Sequence, residues 1–164
     1  MSCGKRKFDT DSCVADILKR VADAQDEVDN DDGDCDVSCH KSIQDLLAGA
    51  TTPTTFDTIP LILYCGCEPF LGTGVQLLSR TNGTTQTLRC IESFFFRVST
   101  VDDNCAKLEL LTTTEEPNGL TKCSDPCSQI NGETTFFRTG ICMTVDLDCF
   151  CAVVCLDPVA TEDL

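Results

Sequence analysis

The chain closes on a segment, residues 140–156, that carries four cysteines, Cys142, Cys149, Cys151 and Cys155, among alternating apolar and polar residues. With the two-residue period of a strand, Val145, Leu147, Cys149, Cys151, Val153 and Cys155 share one face, and Thr144, Asp146 and Asp148 take the other. A strand whose apolar face carries thiols as its only polar members has to be covered by other strands. The segment therefore predicts a β domain in which this closing strand is a core element.

Fourteen cysteines in 164 residues stand close to the density that marks a disulfide scaffold. Such scaffolds are short secreted chains, whereas 164 residues can bury a core without cross-links. The opening Met1-Ser2-Cys3-Gly4-Lys5-Arg6-Lys7-Phe8 is basic, but Asp9, Asp11 and Asp16 follow where an export signal needs an apolar stretch, so none is expected. No run approaches the length of a membrane-spanning helix. The expectation is synthesis in a reducing cytosol, where cysteines serve as metal ligands, nucleophiles, redox centres, or thiols held until the compartment changes.

A net charge of −15, from 12 basic and 27 acidic residues, argues against nucleic acid as a partner, because that affinity rests on Lys and Arg at phosphates. Anionic membrane surfaces are disfavoured for the same reason. Residues 9–36 hold much of the charge and read as a solvated arm. Within it Val14, Ile17, Leu18, Val21, Ala24 and Val28 recur at helical spacing behind Asp11 and Ser12, predicting an amphipathic helix over 13–28. The acidic run Asp29 to Asp34 fails the calcium-loop register: with Gly33 at the sixth position, Val28 and Cys39 fall where the loop needs Asp and Glu.

A second short helix is expected over 38–47 with Gly49 as its stop, then a Thr- and Pro-rich connector over 51–58. From Ile59 the pattern is β. Residues 59–67 are a nearly continuous apolar run, suited to a strand buried on both faces. Strands are expected at 76–80, 87–98, 105–112 and 134–139, with turns at Asn82-Gly83, Asp102-Asp103-Asn104 and Asn131-Gly132, and a long loop around Asn118-Gly119 and Asp125-Pro126. Ala106, Leu108 and Leu110 alternate with Lys107 and Glu109, the mark of a strand with one wet face. The architecture expected is mainly β: an antiparallel sandwich-like domain over 51–164 and a helical arm over 1–50.

Cys35/Cys39 and Cys123/Cys127 have zinc-ligand spacing, but there is no Cys-x-x-Cys and His40 is the only histidine. Thioredoxin-like exchange needs Cys-x-x-Cys at a helix start. His40 adjoins Cys39 and Asp146 shares a strand face with Asp148, but an acidic neighbourhood does not activate the thiol, and a solvated strand face accounts for the carboxylates. Neither a phosphate loop nor a dinucleotide fingerprint is present. The expectation is no catalytic residues, no metal site and no cofactor, with a zinc- or copper-binding module as the rival reading.

Disulfides remain. Thiols two residues apart on an extended strand lie at the limit for bridging each other, so Cys65/Cys67 and Cys149/Cys151 are expected to pair with other strands or other chains. Seven internal bridges would stabilise the chain far beyond what a domain needs, which points to links between molecules. Cys3, Cys13, Cys35 and Cys39, in or beside the arm, are the candidates for those links. Cys65, Cys67, Cys90, Cys105, Cys123, Cys127, Cys142, Cys149, Cys151 and Cys155 are the candidates for core or internal bonds.

Several segments together resemble one family: Met1-Ser2-Cys3-Gly4-Lys5, the helix begun by Cys13-Val14, Ile59 to Tyr64, Cys90 to Val98, Val101 to Leu108, and above all the closing Cys142 to Leu156. Nearly end to end, the chain resembles the spore coat protein Y/Z family of endospore-forming bacilli, which includes the cysteine-rich protein of the exosporium basal layer. The resemblance implies a structural protein made in the mother cell, which assembles with itself into a paracrystalline sheet on the spore surface, beside other coat or exosporium proteins, and is then cross-linked by disulfides. It is carried by Cys3, Cys13, Cys90, Cys105, Cys142, Cys149, Cys151 and Cys155. Lysis of the mother cell would supply the change from reducing to oxidising surroundings.

Overall fold

Ser38, in extended conformation, opens the first regular element: its side chain accepts the Lys41 N–H, and helix α1 runs Cys39–Ala48 to a stop at Gly49. Lys41 and Asp45 form an i,i+4 ion pair on its surface. The computed structural model describes residues 17, 21, 24, 37–49, 55–81, 83–113, 124–130, 132 and 134–164. Ile17, Val21 and Ala24 are helical and exposed, and the remainder of the helix expected over 13–28 lies outside the described residues. The chain divides into two compact units, 1–36 and 37–164, and α1 lies in the second.

Among the described residues nine strands follow: β1 (Leu61–Cys65), β2 (Glu68–Pro69), β3 (Gly72–Thr81), β4 (Thr85–Ser93), β5 (Phe96–Asp102), β6 (Cys105–Thr112), β7 (Phe136–Asp146), β8 (Ala152–Cys155) and β9 (Thr161–Asp163). They form a seven-stranded sheet ordered β2-β1-β5-β6-β7-β9, with β8 also paired to β1, and a separate β3–β4 hairpin. Every pairing is antiparallel except β7 with β9. The mainly β, antiparallel class expected from the sequence is the one observed.

Turn chemistry sets the registers. Gly66 and Cys67 take φ of 61° and 69° between Cys65 and Glu68, the double positive φ of a two-residue hairpin whose twist matches its strands. Gly83, at φ 74°, turns β3 into β4. The single strand expected over 87–98 is two strands. Phe94, Phe95 and Phe96 are all buried, which one strand with a wet face cannot arrange, so the chain leaves the hairpin at Ser93 and enters the large sheet at Phe96. The Ser93 hydroxyl accepts the Phe95 N–H at 3.0 Å. Gln129, from the short helix α2 (Pro126–Gln129), braces the corner by accepting the Phe94 N–H and donating to Ser93 Oγ.

The core lies in two clusters. One joins Leu61, Leu63, Phe96, Ala106, Leu108, Leu110 and Cys155, with Phe70 and Phe150 packed against it. The other joins Phe94, Phe95, Leu111 and Phe136. The hairpin reaches the first through glycines: a Cβ at Gly72 would stand 2.6 Å from the Phe96 ring, and one at Gly74 2.5 Å from Ile141 Cγ2. This close stacking gives the fold its sandwich-like second layer.

A buried carboxylate locks the middle of the large sheet. The β6–β7 register shifts between Glu109 and Leu111, and Gly140 in the bulged stretch takes φ 71°. The bulge frees the Gly140 N–H from the ladder, and it donates to Glu109 Oε1 at 3.1 Å. Arg138 donates to Oε2 through Nε and Nη2, both at 3.2 Å, and Arg97 Nη1 stands 3.8 Å away. The hydrogen bond to Glu109, and then its charge, push the Arg138 pKa up. A buried carboxylate with donors on both oxygens is a registry device: the strand slipped by one residue would strand the charge.

Candidate functional site

The closing segment is not one strand. Asp146, the last residue of β7, receives the Asn104 side-chain amide at 2.8 Å and the Asp148 N–H at 3.0 Å, and Leu147 N donates to Asn104 O at 2.8 Å. These bonds bend 147–149 into a single 3₁₀ turn, and β8 starts afresh at Ala152. Val145 and Leu147 still pack on the core, but Cys149, Cys151, Val153 and Val154 are exposed, and only Cys155 is buried. The buried thiol face expected over 145–155 is corrected accordingly. Alternation cannot register a polar side chain that turns its own backbone.

Cys155 meets Cys39 across α1 and β8. The two form a disulfide with Cα atoms 4.8 Å apart, closing a sequence separation of 116 residues. Beside it the buried Ser42 hydroxyl donates to Leu156 O at 2.8 Å. Cys39, expected to join molecules, is thus bonded within its own chain because α1 packs on β8. It is not a thiol coupled to His40, whose ring faces Gln44 at 3.0 Å.

The β1–β8 pairing brings two Cys-x-Cys segments together. Tyr64 lies opposite Ala152, and Cys151 N donates to Tyr64 O at 2.8 Å. Beyond that point Cys65 Sγ stands 2.9 Å from Cys149 Sγ. Cys67, in the hairpin turn, and Cys151 are exposed at the same rim.

The other described thiols are dispersed. Cys90, on β4, is exposed opposite Val75. Val75, Leu77 and Leu88 share its outward face, with Val75 57% and Leu88 58% exposed, while Gly74 faces the core. Sequence reasoning missed this apolar face, although Val75 and Leu77 alternate with Gly74 and Gln76. Cys105 and Cys142 are exposed on the wet face of the large sheet, opposite Asp146 and Glu109 respectively. Cys127 is exposed on α2. Cys3, Cys13, Cys35 and Cys123 lie outside the described residues. Among the described residues no group of three or more His, Cys, Asp or Glu is placed to hold a metal ion, and no helix is long and apolar enough to cross a membrane. Asp146 is engaged in its turn, and Asp148, within the 3₁₀ turn, is exposed.

Among the described residues the arrangement offers one internal strap, one close thiol pair, and exposed thiols on several faces of a β unit. Residues 1–158 match the family described as spore coat protein Z. The chain belongs to that family. Spore coat protein Z of Bacillus subtilis (strain 168) is 30% identical to it over 152 residues, 91% of each chain. No solved structure matches. Membership makes this a spore coat protein, and the resemblance drawn from Cys142 to Leu156 and the earlier segments is upheld.

Proposed function

We propose that this chain is a structural, non-enzymatic protein of the spore's outer layer, coat or exosporium, whose copies assemble laterally into a two-dimensional lattice that disulfides then lock. The observation that carries this reading is the placement of Cys67, Cys90, Cys105, Cys127, Cys142 and Cys151, all exposed and outside any disulfide, on different strands, turns and faces of one folded unit. A unit that needed its thiols only for internal stability would bury or pair them. Thiols facing several directions suit a unit bonded to several neighbours.

The exposed Val75, Leu77 and Leu88 around Cys90 support a contact that forms first by apolar burial and is sealed afterwards by sulfur. Lateral growth needs heterologous contacts that repeat without closing. Cys3 in the basic opening, and Cys13 and Cys35 in the acidic segment, add further thiols. Synthesis in the mother-cell cytosol keeps all of these reduced until lysis, when oxidation fixes the assembly. Its partners are further copies of itself and other coat or exosporium proteins, with no role for nucleic acid, membrane or metal.

Electrophoresis of oxidised protein with and without reductant tests this. The expected result is a ladder of high multimers that collapses to one band on reduction. Oxidised protein that stays monomeric at every concentration and carries stoichiometric zinc or copper would overturn it.

A further inference from the structure

We propose that Cys65 and Cys149 form a second internal disulfide, and that closing it sorts the four thiols at this rim into an inner pair and an outer pair, Cys67 and Cys151. The encounter is built by contacts independent of sulfur. The β1–β8 ladder runs to Tyr64 and Cys151, and Phe70 N donates to Leu63 O at 2.8 Å, fastening the β1–β2 hairpin to its own strand. Phe150, between the two thiols of its segment, packs edge-on against Phe70 with ring centroids 5.2 Å apart. The 3₁₀ turn, closed by Phe150 N to Leu147 O at 3.1 Å, holds Cys149 at the position where it meets Cys65.

At 2.9 Å the two sulfurs are within about 0.9 Å of bonding distance. Cys149 is exposed and Cys65 only partly so, which sets the order of events. The Cys149 thiolate attacks a low-molecular-weight disulfide, RSSR, forming a mixed disulfide and releasing one thiolate. The Cys65 thiolate then attacks Cys149 Sγ and releases the second. The chain gains one S–S bond and loses two protons, and RSSR is reduced to two RSH.

Closure ties the tip of the β1–β2 hairpin to the approach to β8. Cys67, at φ 69° in the turn, and Cys151, whose Sγ lies 3.4 Å from Tyr64 O, are left at the surface. Their use in joining a second copy rests on the lattice reading, whereas the internal bond does not.

The test uses the full chain at a dilution where it is monomeric, reduced and then exposed to oxidised glutathione, with unbonded thiols alkylated and bonds mapped by tandem mass spectrometry. A Cys65–Cys149 cross-link is expected, with Cys67 and Cys151 alkylated or glutathionylated. The Cys67→Ser/Cys151→Ser double variant should keep the cross-link, and Cys149→Ser should lose it and leave Cys65 alkylated. Cys65 and Cys149 both alkylated in molecules that already hold Cys39–Cys155, or Cys65 joined to a different cysteine, would overturn the proposal. A failure to form multimers at high concentration would strike the lattice reading and leave this bond standing.

Discussion

Replacing Cys39 with serine removes the strap between α1 and β8 and leaves the β unit otherwise intact. The bond closes 116 residues, and by the loop-entropy relation a closure of that length stabilises the folded state by about 4 to 5 kcal/mol. Little else holds α1. The helix has 10 residues, too few to persist alone in water, and Ser42 is its buried residue. Its hydroxyl bond to Leu156 O is worth about 1 kcal/mol. Loss of the strap should therefore lower the oxidised protein's melting temperature by roughly 10 to 20 °C, and amide exchange should show α1 opening before the sheet. Calorimetry of wild type and Cys39→Ser, each with and without reductant, gives a four-way comparison. The two should differ when oxidised and converge when reduced. Equal melting temperatures under oxidising conditions would refute the reasoning, because they would mean that α1 is held by packing and the bond is incidental.

Three further outcomes follow from the geometry. Glu109→Gln should cost about 2 to 3 kcal/mol in denaturant unfolding, since it discharges a buried acceptor of Arg138 and Gly140, and more than Lys107→Ala on the wet face of the same strand. Gly74→Ala should cost about 1 to 3 kcal/mol by overpacking against Ile141, and the penalty should shrink in the Ile141→Ala background in a double-mutant cycle. Cys149→Ser, measured in reductant, should change stability by less than about 0.5 kcal/mol, because the side chain is exposed. A large loss there would restore the buried thiol strand that the 3₁₀ turn replaces.

Where local chemistry and burial agree, the sequence could be read directly. Ser38 and Gly49 bracket α1 as its capping residues predict, and strand β6 occupies the stretch marked by Ala106, Leu108 and Leu110, although Glu109, which the same alternation put on the wet face, is buried. The mainly β class follows from several such stretches. Legibility ends where a side chain answers a distant partner. Nothing near Asp146 in the sequence announces that Asn104, 42 residues away, will turn the chain there, so a broken segment reads as one strand. Ser93 and Gln129 hide the β4–β5 corner in the same way across 36 residues. Among the cysteines, spacing separated those unable to bond each other from the rest, but the partners came only from topology: α1 on β8 for Cys39 and Cys155, and β1 beside the 3₁₀ turn for Cys65 and Cys149.

Electron microscopy of concentrated purified protein after oxidation tests lateral assembly most directly. Ordered two-dimensional sheets are expected, in which the lattice forms from reduced protein and becomes resistant to dilution only after oxidation. Dispersed single particles at every concentration and redox state would contradict the account.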